Sequence, residues 1–439
     1  MLTGYTTTGG PTFSLSSVNI DGLGRLKSAN ETITSTSGGP INHTCTYHYD
    51  MLSQLADATI TNINGNPWAE TYNYHKNGDM NYRTIQSSTT NFTYSGNQMN
   101  MATGGESFTL NWDNNGNMKN LPVNDTNALV YNWDNKLRSA QKGSNTISLK
   151  YDLSGNRIYK NSSSAGQRKY IVDVVGDLPV ILMELDSSNN ITKSYIYANS
   201  QILAQQDGSH TANRYFYLHD RLGNVREIIN GSGSVVRHYT YSPFGETLEN
   251  GGSFDNAFMF TGQYYDSEIG QYYLRARDYH PHIYRFTSRD IVTGQFDNPL
   301  SLHKYLYCQN EPINKIDPLG LLYMDINFTG SFGTVRGAAI GLTNCMTYGP
   351  WGAAGGLIGG AILGGFGGTA GGMFDYNTRK LHLYGGPAWS SSPMGGVTTS
   401  VGFGEGFDYG VNGGGQIDVD KLFGDYENIL EQGVVGTWP

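Results

Sequence analysis

The sequence predicts an all-β fold built from tandem repeats up to about residue 320, followed by a chemically different C-terminal region. Glycine makes up 58 of the 439 residues, about twice its usual share of roughly 7%. Tyrosine occurs 31 times, while charged residues amount to only 15%. A motif of one aromatic residue followed by a polar turn recurs between residues 49 and 158. These observations favour short strands joined by turns over helices.

The repeats share an aromatic residue, usually an aspartate after it, then a glycine or asparagine turn and an apolar or basic residue. Their second positions are 50, 75, 95, 113, 134 and 152. This spacing is long enough for each repeat to hold two short strands and two turns. Because one repeat cannot bury a sheet face alone, we expect the repeats to stack into an extended, coiling sheet. We therefore assign the aromatic and aspartate residues a structural role.

A longer series of motifs follows the repeats. Its members are residues 217–225 (YLHDRLGNV), 239–246 (YTYSPFGE), 260–266 (FTGQYYD), 270–279 (GQYYLRARDY), 285–290 (RFTSRD) and 310–320 (NEPINKIDPLG). The repeats resemble the YD repeats of Rhs and teneurin-type proteins, and the series closely resembles the Rhs repeat-associated core domain. The resemblance covers most of the chain before residue 321 and divides it into repeats (1–190), a core domain (191–321) and a variable C-terminal region (322–439).

The resemblance implies a spiralling β-shell that the core domain plugs at one end and that holds the C-terminal polypeptide as cargo. Proteins of this kind are typically bacterial polymorphic toxins or toxin-complex components, which implies a secreted or cell-surface location. The first residues, MLTGYTTTGG, contain neither a basic nor an apolar signal-peptide region. We therefore expect either another export route or a chain that is a fragment of a longer one.

Similar core domains contain an intramolecular aspartyl protease that cuts the chain just past the DPxG motif. By resemblance, Arg277, Asp290 and Asp317 would be its catalytic residues, and the bond between Leu321 and Leu322 would be cleaved. Two close carboxylates share one proton, so one activates water while the other polarises the scissile carbonyl. The alternative is that Asp317 only forms a turn and Asp290 only a surface ion pair. The sequence leaves both interpretations open, and it shows no other catalytic constellation.

The region after residue 321 changes in character. No residue from 337 to 374 is charged, and a glycine recurs at every fourth position: Gly352, Gly356, Gly360, Gly364, Gly368 and Gly372. On a helix this spacing forms a groove that allows close helix contact, so we predict a helical segment near 350–373 within a small α+β region. A glycine-zipper hairpin inside the shell and a membrane-active cargo helix both fit. A fixed membrane anchor fits less well, because each glycine costs about 1 kcal/mol in an isolated helix.

The sequence gives little indication of a disulfide framework, a metal or cofactor site, or a nucleic-acid interface. The three cysteines are far apart and have no Cys or His neighbours in a metal-binding pattern, so we interpret them as buried or incidental thiols. His280 and His282 have no further ligand nearby, so we predict no metal and no cofactor. The net charge of −9 provides no basic stripe for nucleic acid.

Three classes of function remain open. The first is a carrier with a C-terminal effector, released by self-cleavage, for which an immunity protein would be a partner. The second is a secreted or surface protein whose aromatic repeats bind carbohydrate or protein. The third is an effector that inserts into membranes through residues 350–373. Intact mass, glycan or cell binding, and liposome leakage distinguish them.

Overall fold

A computed structural model describes residues 4–6, 11–37, 39–122, 128–175, 178–198, 200–208, 213–294, 296, 298–321, 323–325, 369–375 and 380–386. The regular structure of these residues is almost entirely antiparallel β-sheet, with four short 3₁₀ turns and no α-helix. The prediction of an all-β fold is therefore confirmed.

The repeats form two sheets in which each strand pairs with the next strand along the chain. The strands of the ten-stranded first sheet are β1 (Gly4–Thr6), β2 (Thr12–Ile20), β3 (Leu26–Thr34), β4 (Pro40–Tyr49), β5 (Leu55–Ile63), β6 (Asn66–Tyr74), β7 (Met80–Ile85), β8 (Ser88–Ser95), β9 (Gln98–Gly104) and β10 (Phe108–Thr109). The strands of the twelve-stranded second sheet are β11 (Ala128–Tyr131), β12 (Leu137–Lys142), β13 (Asn145–Tyr151), β14 (Arg157–Ser162), β15 (Gly166–Asp173), β16 (Val180–Leu185), β17 (Ile191–Ala198), β18 (Gln201–Asp207), β19 (Arg214–His219), β20 (Val225–Asn230), β21 (Val235–Tyr241) and β22 (Thr247–Gly252).

Residues 253–321, which we call the core segment, follow the second sheet. The small strands here and beyond are β23 (Tyr264–Asp266), β24 (Gln271–Leu274), β25 (Arg277–His280), β26 (Arg285–Phe286), β27 (Lys315–Ile316), β28 (Met324–Asp325), β29 (Thr369–Asp375) and β30 (Lys380–Gly386). The 3₁₀ turns span Phe260–Gly262, Pro281–Ile283, Pro299–Leu302 and Cys308–Asn310. The second sheet continues across residue 190, and the domain boundaries at 190 and 321 stay predictions.

The aspartates of the repeats organise the turns. In six turns the aspartate Oδ1 accepts the backbone N–H groups of the second and fourth residues after it, which satisfies donors that a bare turn would leave unpaired. The six are Asp21, Asp50, Asp113, Asp152, Asp186 and Asp220. This is the structural role predicted for Asp50, Asp113 and Asp152, and Asp21, Asp186 and Asp220 have the same role outside the predicted repeats.

The aromatic residue before the turn links each repeat to the one before it. Its polar atom donates to a backbone carbonyl at the start of a preceding strand, at distances of 2.6 to 2.9 Å. The pairs are Tyr49 with Leu26, Tyr74 with Leu55, Tyr94 with Met80, Trp112 with Met99, Tyr151 with Leu137 and Tyr241 with Val225. The strand register also shifts just before each of these five tyrosines. Such bulges increase the local twist and coil the sheet.

One repeat was aligned wrongly from the sequence. The expected pair was Trp133 and Asp134, but Asn132 accepts the N–H groups of Asp134 and Lys136, and Trp133 is 87% exposed. Tyr131 and Asn132 therefore occupy the motif positions, which makes the spacing of the neighbouring repeats more even. Asparagine replaces aspartate here because its side-chain oxygen accepts the same two bonds.

The core segment packs on turns of both sheets. Asn310 donates to the carbonyl of Gly78 at 2.8 Å, and the Tyr305 hydroxyl donates to that of Gly116 at 3.0 Å. In the second sheet, Lys136 donates to the Arg275 carbonyl at 2.9 Å. Aromatic contacts accompany these bonds, including the stacked rings of Phe244 and Tyr284, whose centroids are 4.3 Å apart. Cys45 and Cys308 are buried free thiols, as predicted.

Gly245 offers a test of this packing. Its φ is +92°, and an added Cβ would lie 2.6 Å from the Phe260 ring. We expect Gly245→Ala to lower the free energy of unfolding by about 1–3 kcal/mol more than Gly65→Ala. Gly65 is the matched control because its φ is +83° but its surroundings are open. Equal losses in urea titrations of the two variants would show that the ring contact does not matter.

At one position of the C-terminal glycine series, the structure differs from the predicted helix. Gly372 lies in β29, where it pairs with Leu383 of β30, so the structure contains a strand where the sequence predicted the end of a helix. Hydrogen bonding to a neighbouring strand outweighs the spacing of the glycines at this point. Gly352, Gly356, Gly360, Gly364 and Gly368 lie outside the described residues, as does the rest of the predicted helix.

Candidate functional site

Arg277 is the first residue of β25, beside a tight turn that connects β24 to it. Its side chain is buried and its guanidinium lies 3.6 Å from the centroid of the Phe286 ring. Nε donates to the carbonyl of Gly320, and one terminal nitrogen donates to the carbonyl of Lys304 at 3.1 Å. The arginine therefore connects the DPLG segment to a second loop.

The other terminal nitrogen of Arg277 faces both predicted catalytic carboxylates. It lies 2.8 Å from Oδ2 of Asp290 and 3.7 Å from Oδ2 of Asp317. The structure thus brings together three residues that are separated by up to 40 positions in the chain. A guanidinium between two carboxylates stabilises the charge of the pair.

Asp317 lies against the peptide unit that directly precedes the predicted cleavage bond. Its Oδ1 accepts the N–H of Leu321 at 3.0 Å, and the carbonyl of Leu319 accepts the N–H of Ala276 at 3.0 Å. Gly320 has a φ of +68°, and a Cβ there would lie 2.5 Å from the carbonyl oxygen of Leu274. Only glycine fits this close approach. Leu321 is buried, and Leu322 lies outside the described residues.

Asp290 is the more accessible carboxylate. Its side chain is 14% exposed, compared with 3% for Asp317. Its backbone N–H donates to the carbonyl of Lys304, and its Oδ1 accepts the N–H of Val292 at 2.8 Å. Water can therefore reach Asp290 more easily than Asp317.

The two carboxylates have raised pKa values. Burial raises the pKa of Asp317 to about 6, against the lowering effect of Arg277. Burial also raises the pKa of Asp290, again opposed by Arg277, and it lowers the pKa of Arg277 itself. Because Asp290 has the shorter ion pair and greater exposure, we assign the ionised form to Asp290 and the shared proton to Asp317.

A buried link to the first sheet supports this site. His303 lies 2.8 Å from Oδ1 of Asp79 through Nε2, and its Nδ1 accepts the N–H of Tyr305 at 3.1 Å. Burial lowers the pKa of His303 to about 4, so the ring is neutral and Nε2 carries the proton that bonds to Asp79. This link fixes residues 303–305 and with them the Lys304 carbonyl that holds Arg277.

Sequence reasoning missed Asp79 and His303. They are 224 positions apart, so nothing local connects them. A signal was nevertheless present, because the corresponding turn position is asparagine in several other repeats, as in Asn117, Asn156 and Asn224. An aspartate at this position departs from the repeat pattern and marks a different partner.

His282, which the sequence analysis considered as a metal ligand together with His280, contacts two glutamates. Nδ1 of His282 lies 2.7 Å from Glu246, and its Nε2 lies 2.8 Å from Glu106. The described part of the chain contains no group of three His, Cys, Asp or Glu side chains placed to hold a metal ion. Nor do these residues include a helix long and apolar enough to cross a membrane.

The fold and the motifs of the site agree with one protein family. The teneurin YD-shell family model matches residues 5–313. The chain belongs to the teneurin YD-shell family. This result confirms the resemblance to YD-repeat proteins that the sequence motifs indicated.

Two relatives show how far the similarity to other proteins extends. The tRNA3(Ser)-specific nuclease WapA of Bacillus spizizenii is 33% identical over 233 residues, which is 51% of this chain and 10% of WapA. Salivary gland surface protein 1 of Aedes aegypti is 29% identical over 286 residues, which is 59% of this chain and 8% of that protein. The chain thus spans about a tenth of the length of these relatives.

A solved structure supports the fold. The crystal structure of TcdB2-TccC3 superimposes with a TM-score of 0.54 and 20% sequence identity, covering 71% of this chain and 17% of that chain. At this level of identity the likeness shows the fold alone.

Proposed function

We propose that this chain is the shell and core of an Rhs-type toxin-like protein, which carries residues 322–439 as a variable effector and releases them by cutting itself after Leu321. The observation that carries the proposal is one buried arginine nitrogen shared by Asp290 and Asp317, beside the Leu321 amide. The name of the WapA relatives, tRNA nucleases, supports a toxin-like role. The cargo and an immunity protein are the partners of this role, and its location is secreted or cell-surface.

The reaction follows from the assignment of the proton. Asp290, ionised, removes a proton from a water molecule that attacks the carbonyl carbon of Leu321. Asp317, protonated, donates its proton to the carbonyl oxygen, and Arg277 stabilises the carboxylate pair throughout. Asp290 then gives the proton that it took from water to the nitrogen of Leu322, and one hydroxyl of the tetrahedral intermediate returns a proton to Asp317. The bond between the Leu321 carbonyl carbon and this nitrogen breaks, and the nitrogen leaves as an amine. The products are a carboxylate on Leu321 and a free N-terminus on Leu322.

Chain connectivity replaces substrate binding in this scheme. The carbonyl of Leu319 is hydrogen-bonded to Ala276, and that of Gly320 to Arg277, so the two peptide units before the predicted cleavage bond are held beside the carboxylates. Holding a reactant in place raises its effective concentration by orders of magnitude. No external protease is needed.

The direct test is the mass of the chain. Protein dissolved in denaturant directly from inclusion bodies, in which the site has not formed, should be a single species of 48.1 kDa. After refolding it should yield two fragments, and the smaller should begin at Leu322 by N-terminal sequencing. A refolded chain that stays intact after prolonged incubation between pH 4 and 8 would contradict the proposal.

The rate of cleavage should depend on pH in a defined direction. Asp317 must be protonated to act, and its pKa is about 6. Above pH 6 we therefore expect the rate to fall about tenfold for each pH unit. Protonation of Asp290 should lower the rate again in more acidic solution. The measurement is the fraction cleaved against time at pH 4 to 8 after refolding, and a rate that increases between pH 6 and 8 would show that the proton assignment is wrong.

A second candidate is a surface protein that binds carbohydrate or protein. Apolar side chains at the repeat turns are highly exposed, including Met51, Trp133 and Leu153, and exposed aromatic and aliphatic residues are typical of binding surfaces. Glycan or cell binding by a chain that stays intact would favour this function over the carrier. A third candidate function is insertion into membranes through residues 350–373. Its test is liposome leakage.

A further inference from the structure

A cavity of about 380 Å³ lies between the second sheet and the core segment. Most of its wall is apolar or aromatic, and it includes Val180, Tyr197, Phe258, Tyr264, Tyr273 and Ile316. Its volume is within the range of small-molecule sites, which are typically apolar with a few placed polar groups. The predicted functions make no use of this cavity.

The cavity wall contains Asp220, Arg221 and Arg275, and Arg275 is the charged residue that belongs to the core segment. Its Nε donates to the carbonyl of Pro179 at 2.8 Å, and one terminal nitrogen donates to Gln263 at 2.8 Å and to the carbonyl of Pro318 at 2.6 Å. All three acceptors are neutral. Within the described ranges, no carboxylate pairs with Arg275, and its other terminal nitrogen has no hydrogen-bond acceptor.

The arginines buried elsewhere in the fold differ from Arg275. Carboxylates pair with Arg83, Arg157, Arg226 and Arg277 at distances of 2.6 to 2.9 Å. A cation taken out of water without an opposite charge is costly, so proteins normally pair it. Arg275, which is partly buried, therefore differs from these four fully buried arginines in having no carboxylate partner among the described residues.

The backbone of Arg275 is also in an unfavourable conformation, as is that of Thr261 on the same cavity wall. The φ of Arg275 is +59°, in the left-handed region that costs residues other than glycine about 1–2 kcal/mol. The turn between β24 and β25 thus holds a long charged side chain where glycine or asparagine would be less costly. Backbone strain of this kind is often found at ligand sites.

We propose that this cavity binds a small organic carboxylate with an apolar or aromatic body. The carboxylate pairs with the terminal nitrogen of Arg275 that has no acceptor, and the body packs against the tyrosine rings and aliphatic side chains of the wall. This inference does not depend on self-cleavage, because Arg275 contacts neither Asp290 nor Asp317 in the described hydrogen bonds and ion pairs.

The test uses the full chain with phenylacetate as the probe and phenylacetamide as its neutral counterpart. We expect saturation-transfer NMR and calorimetry to show phenylacetate binding with a dissociation constant in the millimolar range or tighter, and at least about tenfold weaker binding of the amide. Arg275→Gln should weaken phenylacetate binding by a similar factor. Arg138→Gln, which changes an exposed arginine outside the cavity, should leave it unchanged.

A second variant keeps the test valid if Arg275→Gln does not fold. Leu178→Trp places a large ring in the cavity wall without touching the charge, and it should also abolish binding. Equal binding of the acid and the amide would overturn the proposal, as would equal binding by wild type and Arg275→Gln. Absence of binding by the wild type would overturn it as well.

Discussion

Asp317→Asn should abolish self-cleavage while leaving the fold intact. The amide is nearly isosteric and keeps the oxygen that accepts the N–H of Leu321, but it cannot supply the proton that polarises the carbonyl. Removal of a general acid or base typically costs 10²- to 10⁴-fold in rate, so we expect cleavage to slow by about a thousandfold. Asp290→Asn should have a similar effect, because the amide cannot remove a proton from water.

The measurement is the time course of fragment formation after refolding, followed by mass. Asp134→Asn is the matched control, since Asp134 is an exposed turn residue outside the site, and it should cleave at the rate of the wild type. Unfolding temperatures of all variants should agree within a few degrees. If Asp317→Asn were cleaved at the wild-type rate, Asp317 would have only the structural role of forming a turn.

Arg157→Leu should cause the largest loss of stability. Arg157 is buried and pairs with Asp266 at 2.6 Å and Asp278 at 3.2 Å, which attaches β14 to the core segment. Without it, these buried carboxylates lose their shared cation, although Lys160 still lies 2.8 Å from Asp266. Removing one member of a buried ion pair typically costs about 3–5 kcal/mol.

Urea titration followed by tryptophan fluorescence measures this loss. Arg138→Leu provides the control, because it makes the same change at an exposed position of the same sheet and should cost less than about 1 kcal/mol. Burial raises the pKa of Asp278 to about 6 although Arg157 lowers it, so in Arg157→Leu this carboxyl should titrate at a higher pH still. Equal losses in the two variants would mean that the network contributes little to stability.

The sequence predicted the β fold well because its repeat motif encodes local chemistry. The Asp50 side chain accepts hydrogen bonds from residues two and four positions later, so a pattern of a few residues is sufficient to predict the turn. The alignment at Trp133 went wrong for the same reason, since an aromatic followed by aspartate fits the pattern even where Tyr131 and Asn132 form the turn.

The site was predictable only in part. Arg277, Asp290 and Asp317 could be named from family motifs, and the structure brings them together, while their catalytic role stays a proposal. Lys304 could not be named, because it contributes a backbone carbonyl and any residue provides one. Arg275 could not be singled out either, since its unpaired charge depends on which groups the fold leaves around it.

The bond between Asp79 and His303 has a consequence for the order of events during synthesis. Asp79 emerges from the ribosome long before His303, which lies 224 positions later in the chain, so the first sheet can form while the core segment is still being made. The loop that holds Arg277 is then fixed only when it docks on that earlier sheet. On the proposed mechanism, the bond after Leu321 is cut late, once the scaffold behind it has been assembled.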